Sequence, residues 1–217
     1  MSEKPSLGSD PSSSEEKQKR GTTRRTFLKS AGMVSATVAG AEMLGGVAHA
    51  ETEAQSRAFG PGKVPLKLRI NGEVHAVSVE PRTTLAEALR DELHMTGTKV
   101  VCDRGSCSAC TVMLDKTPVC SCMTLAVDVG DRNVTTIEGL ARAEELHPVQ
   151  AAFIEHDALQ CGFCTSGMVM SCAALLERNP KPSAEDVKTA ISGNICRCAT
   201  YPKVLDAVLA ASQSKGP

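Results

Sequence analysis

Ten cysteines stand out in a chain of 217 residues, and eight of them fall into two groups whose spacing suits metal ligation. The first group reads Cys102-Asp-Arg-Gly-Ser-Cys107-Ser-Ala-Cys110, followed after eleven residues by Cys122. C-x4-C-x2-C with a distant fourth Cys is a spacing that holds a [2Fe–2S] cluster. Each iron takes two terminal thiolates, and the cluster sulfurs need backbone N–H donors around them. A tight loop that presents three thiolates and turns its amides inward meets both demands, and Gly105 gives such a loop conformational freedom. The second group is Gln160-Cys161-Gly162-Phe163-Cys164, followed after 31 residues by Cys196-Arg197-Cys198. Cys-x-x-Cys at a helix start places two sulfurs on one turn near the positive end of the helix, which favours thiolates. Cys-x-Cys in an extended segment adds two more on one face, completing a second four-thiolate site.

Two other chemistries use clustered cysteines. Four thiolates can hold structural zinc, although zinc sites usually pair two short Cys-x2–4-Cys elements, which neither the triplet nor Cys-x-Cys resembles. A disulfide scaffold explains an even count in an exported chain, but not this clustering. Cys120 and Cys172 are left over and are expected to be buried apolar thiols.

The leader bears on that choice. Residues 1–20 are rich in Ser, Glu and Lys and have little to bury. Thr23-Arg24-Arg25-Thr26-Phe27-Leu28-Lys29 then precedes a weakly apolar stretch ending in Ala48-His49-Ala50. A basic region, an apolar region and a small-x-small site make a secretory signal, and the paired arginines mark the twin-arginine form. The competing reading, a membrane anchor, needs about 20 consecutive apolar residues, and Glu42 interrupts this stretch. Residues 1–50 are therefore expected to be a twin-arginine signal cleaved after Ala50, with no membrane span in the mature chain and a periplasmic destination. Because this route exports folded proteins, the cysteines are expected to carry a cofactor loaded before export. The leader holds seven Lys/Arg and five Asp/Glu, which leaves 17 against 20 in the mature chain, net −3. That balance, with aromatics at 2%, argues against a nucleic-acid surface.

The elements that must position the thiols divide the mature chain in two. Residues 51–62 read as a flexible lead-in. Val64, Leu66, Leu68 and Ile70 alternate with polar residues, as in a half-buried strand. Asn71-Gly72 signals a tight hairpin, and Glu73–Val79 is the return strand. Leu85, Leu89 and Leu93 have helical spacing, with Thr84 and Glu87 placed as a capping box. A second hairpin is expected around Asp115-Lys116, from Thr111–Leu114 to Thr117–Ser121, and a last strand over Asn133–Ile137. From His147 the pattern turns helical: Val149–Glu155 behind Pro148, Cys164–Arg178, a helix capped by Ser183 and Asp186 that runs through Ile191, and Val204–Ser212. No Gly-x-Gly-x-x-Gly or Walker loop is present, so no nucleotide or flavin site is expected on this chain. His156, with Glu155 and Asp157, reads as an ordinary surface cluster, and no catalytic residue or substrate pocket is assigned.

The ordered pair of cysteine motifs is accompanied by Thr135-Thr136-Ile137-Glu138-Gly139, His147-Pro148-Val149-Gln150 and Gly193-Asn194-Ile195-Cys196-Arg197-Cys198. Over residues 63–213 this combination resembles the iron–sulfur subunit of the xanthine oxidase (molybdenum hydroxylase) family, and the leader points to its periplasmic aldehyde oxidoreductases. The resemblance implies an α+β chain: a β-grasp, plant-type ferredoxin domain over 63–138, a linker at 139–146, and a four-helix bundle over 147–213. It implies two [2Fe–2S] clusters, one on Cys102, Cys107, Cys110 and Cys122 nearer a flavin, and one on Cys161, Cys164, Cys196 and Cys198 nearer a molybdenum cofactor. Gln160 and Cys198 match positions that contact the molybdopterin. The implied partners are a large molybdopterin-binding subunit and an FAD-binding subunit, and the implied role is to carry electrons between them during aldehyde oxidation to a carboxylic acid. Hydroxylation of an N-heterocycle is the alternative. Two positions depart from the family pattern: Ser108 stands where Gly is usual, and Ala199-Thr200-Tyr201 replaces Thr-Gly-Tyr. Neither departure removes a ligand.

Overall fold

A computed structural model describes residues 59–142 and 145–214. The expected signal peptide, its cleavage site and most of the lead-in lie outside the described residues, as do positions 143 and 144 of the expected linker.

The first hairpin forms as its alternation requires. Strands β1 (Val64–Ile70) and β2 (Glu73–Val79) pair antiparallel from Val64↔Val79 to Ile70↔Glu73. Asn71 and Gly72 both adopt positive φ, 52° and 89°, the conformation a two-residue hairpin turn needs. Strands β3 (Thr111–Leu114) and β4 (Thr117–Cys120) form the second hairpin, and Asp115 and Lys116 turn it at positive φ. Strand β5 (Asn133–Thr135) slots between the hairpins, parallel to β1 and antiparallel to β3, giving the order β2-β1-β5-β3-β4.

Two strands are shorter than expected, for local reasons. Strand β4 stops at Cys120 because Ser121 begins a 3-10 turn, its hydroxyl donating to the Cys110 carbonyl at 2.7 Å. Strand β5 stops at Thr135 because the Thr136 N–H donates to Asn71 Oδ1 at 2.9 Å rather than to a neighbouring strand. The helix expected over residues 84–93 also changes character. Thr84 and Glu87 do form the capping box over α1 (Leu85–Glu87), but the chain then continues as a π-helical turn, Ala88–Glu92. Leu85 and Leu89 are fully buried on the sheet with Leu68, Ile70, Val79, Val112 and Val134.

The second half contains four helices: α2 (Pro148–Glu155), α3 (Thr165–Arg178), α4 (Ala184–Ala190) and α5 (Tyr201–Ala211). Their core holds Val149, Phe153, Met168, Met170, Val187, Val204 and Val208. Helix α5 begins three residues earlier than Val204, since Pro202 in a first turn loses no hydrogen bond and starts the helix rather than breaking it. The two cores meet at β3, which is buried along its whole length. Val112 and Leu114 enter the sheet core and Met113 enters the helical core.

Candidate iron–sulfur sites

The loop before β3 carries Cys102, Cys107 and Cys110, and its shape depends on three residues at positive φ: Asp103, Gly105 and Ser108. These reversals coil the chain so that its amides meet its sulfurs. The N–H groups of Arg104, Ser106 and Cys107 reach the Cys102 sulfur, that of Ala109 reaches Cys107, and that of Gly105 reaches Cys122. The thiols associate in pairs. Cys102 and Cys107 lie within hydrogen-bonding reach of each other, as do Cys110 and Cys122, and Cys102 is close enough for its charge to be felt at Cys122. The Arg104 N–H, with the Cys107 thiol, lowers the Cys102 pKa to about 7, whereas burial pushes Cys122 up to about 12.

The second set is built the same way. Cys161 and Cys164 precede α3, with Gly162 at φ 85° between them. Cys196 and Cys198 lie in the irregular segment between α4 and α5. Cys161 pairs with Cys198, and Cys164 with Cys196. Burial pushes Cys164 up to about 12. At Cys196 burial works in the same direction, but the Thr200 hydroxyl at 3.2 Å, the Thr200 N–H and the Cys164 thiol prevail and bring its pKa to about 7.

None of the ten cysteines is in a disulfide. Among the described residues, no three His, Cys, Asp or Glu side chains gather as they would around one metal ion. Two neighbouring thiol pairs, each with inward amides, suit a two-iron, two-sulfide unit, in which each iron takes one pair. A single tetrahedral zinc needs all four thiols around one point. The donor sets therefore fit [2Fe–2S] clusters.

Several features that hold these loops were not apparent from spacing. The buried Asn194 donates its side-chain N–H to the Ser108 carbonyl at 3.2 Å, and the Ile195 N–H donates to the Cys107 carbonyl at 3.1 Å. The two cysteine loops are thus joined backbone to backbone, one residue away from Cys196. Gly167 in α3 permits this approach, since a Cβ there would lie 2.1 Å from the Ser108 carbonyl oxygen. Tyr201 accepts from the Cys196 N–H at 2.8 Å and donates to the Asn194 carbonyl at 3.0 Å, tying α5 to the ligand segment. Glu138 acts further out: its carboxylate accepts from the Gly97 N–H at 2.8 Å and anchors the approach to the first loop. Gln160 is exposed beside Cys161, and Phe163 and Ile195 present 62% and 58% of their surface around the same thiols. Cys120 lies in the first pocket rather than in remote core, while Cys172 is buried within α3 as expected.

The chain is similar to known proteins. The family model described as "2Fe-2S iron-sulfur cluster binding domain" matches residues 68–144, and "[2Fe-2S] binding domain" matches residues 136–209. The aldehyde oxidoreductase iron-sulfur-binding subunit of Escherichia coli O157:H7 is 40% identical over 203 residues, 86% of each chain. The nicotine 6-hydroxylase small subunit of Paenarthrobacter nicotinovorans is 46% identical, over 69% of this chain and 90% of that one. Among solved structures, quinoline 2-oxidoreductase from Pseudomonas putida 86 superposes with a TM-score of 0.68 at 42% identity, covering 70% of this chain and 95% of that one. With two matched cluster-binding domains, paired thiol quartets and this identity over most of its length, the chain belongs to the [2Fe–2S] iron–sulfur subunits of the xanthine oxidase (molybdenum hydroxylase) family.

Proposed function

We propose that this chain is the electron-transfer subunit of a periplasmic aldehyde oxidoreductase, receiving electrons from a molybdopterin centre on a large subunit and delivering them to a flavin subunit. The observation that carries this reading is the pair of thiol quartets held together by the Ile195–Cys107 and Asn194–Ser108 hydrogen bonds. When bound, [2Fe–2S] clusters accept and release one electron at a time. The chain's own residues fix the clusters in place, supply N–H donors to their sulfurs and shorten the gap between them. Cys102, Cys107, Cys110 and Cys122 hold the first cluster, and Cys161, Cys164, Cys196 and Cys198 the second. Gln160 and Cys198 face the molybdopterin, a role supported by the exposure of Gln160 and by the exposed apolar rim of Phe163 and Ile195 beside them.

Aldehydes are favoured as the substrate class because the similarity to the aldehyde oxidoreductase subunit extends over 86% of both chains. An N-heterocycle is the second reading, favoured by the 46% identity to the nicotine 6-hydroxylase small subunit. The native complex should be purified and assayed with aromatic aldehydes and with nicotine-like or quinoline-like bases. Turnover of aldehydes alone is expected, and turnover of the bases alone would overturn the aldehyde assignment. In the same preparation the mature chain should begin at Glu51. Replacing Arg24 and Arg25 together with Lys should abolish its appearance in the periplasm, and normal export of that variant would refute the twin-arginine assignment. Iron analysis should give about four irons per chain, with two distinct resonance signals on reduction. Cys196→Ser should remove one signal, and stoichiometric zinc in place of iron would refute the cluster reading.

A further inference from the structure

The first pocket contains a fifth thiol. Cys120 ends β4 opposite Thr111, is half-buried, and packs with Ala86 against Cys110 and Cys122. Its sulfur lies 3.8 Å from the Ser108 hydroxyl, its S–H points to the Gly105 carbonyl oxygen at 3.9 Å, and the Cys110 thiol is close enough to interact with it. Ser108 is itself held in an unusual way. Its φ is +53°, a left-handed conformation that costs backbone energy for any residue with a Cβ. Its carbonyl is fixed from two sides, by the Thr111 hydroxyl at 2.8 Å and by Asn194 at 3.2 Å. A rigid residue therefore holds one hydroxyl against one thiol, and that thiol packs beside a ligand cysteine.

We propose that Ser108 and Cys120 form a hydroxyl–thiol relay that raises the reduction potential of the first cluster. The Ser108 O–H donates to the Cys120 sulfur, and the Cys120 S–H turns from the Gly105 carbonyl to donate to the Cys110 sulfur once that sulfur is an iron-bound thiolate. Each bond polarises the next, so the hydroxyl strengthens the thiol as a donor. Reduction adds one negative charge to a cluster that is already anionic, so a donor to a ligand sulfur stabilises the reduced form more than the oxidised form. The Ser108 side chain thus contributes a donor to the relay. Cys120 acts as a positioning and tuning residue and takes no iron.

The inference rests on the reading that Cys102, Cys107, Cys110 and Cys122 hold the first cluster, so the native complex comes first. If it lacks two [2Fe–2S] signals, the ligand reading fails before the relay is tested. Given two signals, redox titration followed by electron paramagnetic resonance reads each midpoint potential, with the second cluster as the internal reference. Cys120→Ala should shift only the first cluster to lower potential, Cys120→Ser should restore most of the difference, and Ser108→Ala should give a smaller shift in the same direction. The Cys120→Ala/Ser108→Ala double variant should shift no further than Cys120→Ala alone. A Cys120→Ala potential equal to that of the parent would overturn the proposal. So would equal shifts in the Ala and Ser variants, or a joint shift of both clusters, since either indicates packing. Should Cys120→Ala fail to assemble, Ser108→Ala decides the matter: a lowered first midpoint supports the relay and an unchanged one refutes it.

Discussion

Among single side chains, the thiols of one site differ widely in how readily they ionise, and their surroundings account for it. Cys102 receives the Arg104 N–H and the Cys107 thiol and falls to about 7. Cys122, buried in the same site, is pushed up to about 12 by that burial. Cys172, with no polar neighbour to oppose its burial, also stands at about 12. Only thiolates bind iron, so loading the site releases protons from the high-pKa members and is favoured as pH rises. The thiolate is also the form that alkylates. In iron-free protein at pH 7.5, iodoacetamide should therefore modify Cys102 well before Cys122 or Cys172, and the Cys102 rate should fall as pH drops below about 7. Peptide mass spectrometry resolves the order, and labelling of Cys172 first would contradict this account.

At the scale of secondary-structure elements, the clearest signals in the sequence were those a few residues can fix alone. Asn71-Gly72 and Asp115-Lys116 dictated their hairpins, and Ser183 with Asp186 dictated the start of α4. The Asp186 carboxylate accepts from the Ser183 N–H and hydroxyl, at 2.8 Å each, and these bonds hold its pKa below the ordinary 3.8. A depressed carboxyl pKa contributes stability that is present above the unfolded value and lost as pH falls through the folded one. Ser183→Ala should destabilise the protein by about 1 kcal/mol near neutral pH, and the difference from the parent should shrink in acid. Thermal melts at pH 7 and pH 3 check this.

The cysteine groupings could be read from spacing, as could the two-part architecture. The π-helical turn at Ala88–Glu92 could not, because Leu85, Leu89 and Leu93 have the same spacing in either helix type until tertiary contacts choose between them. Asn194, Gly167 and Tyr201 were also beyond its reach, since each acts on a segment that only the fold brings near. Asn194 and Ser108 are 86 residues apart in sequence. Nothing in the order of residues places Cys120 beside Cys110, so spacing alone makes it an ordinary core thiol.

For the whole molecule, the decisive feature is how closely the two cysteine loops approach. Gly167→Ala would place a methyl 2.1 Å from the Ser108 carbonyl oxygen and 3.0 Å from the Ala109 backbone. Backbone cannot swing aside as a side chain can, so α3 and the first loop must separate, at a cost of about 1–3 kcal/mol. The variant should melt earlier and show a weaker magnetic interaction between the two reduced clusters; an unchanged interaction would mean that the loops keep their spacing by other means. The burial of β3 on both faces bears on how the molecule comes apart. Met113 belongs to the helical core while its neighbours Val112 and Leu114 belong to the sheet core, so one strand cannot leave either core without disturbing the other. Neither half can then melt alone, although each has its own cofactor site. Scanning calorimetry of the mature chain should show one endotherm whose van't Hoff and calorimetric enthalpies agree. Two resolved endotherms would mean that Met113 is a passive contact and that the halves are thermodynamically separate.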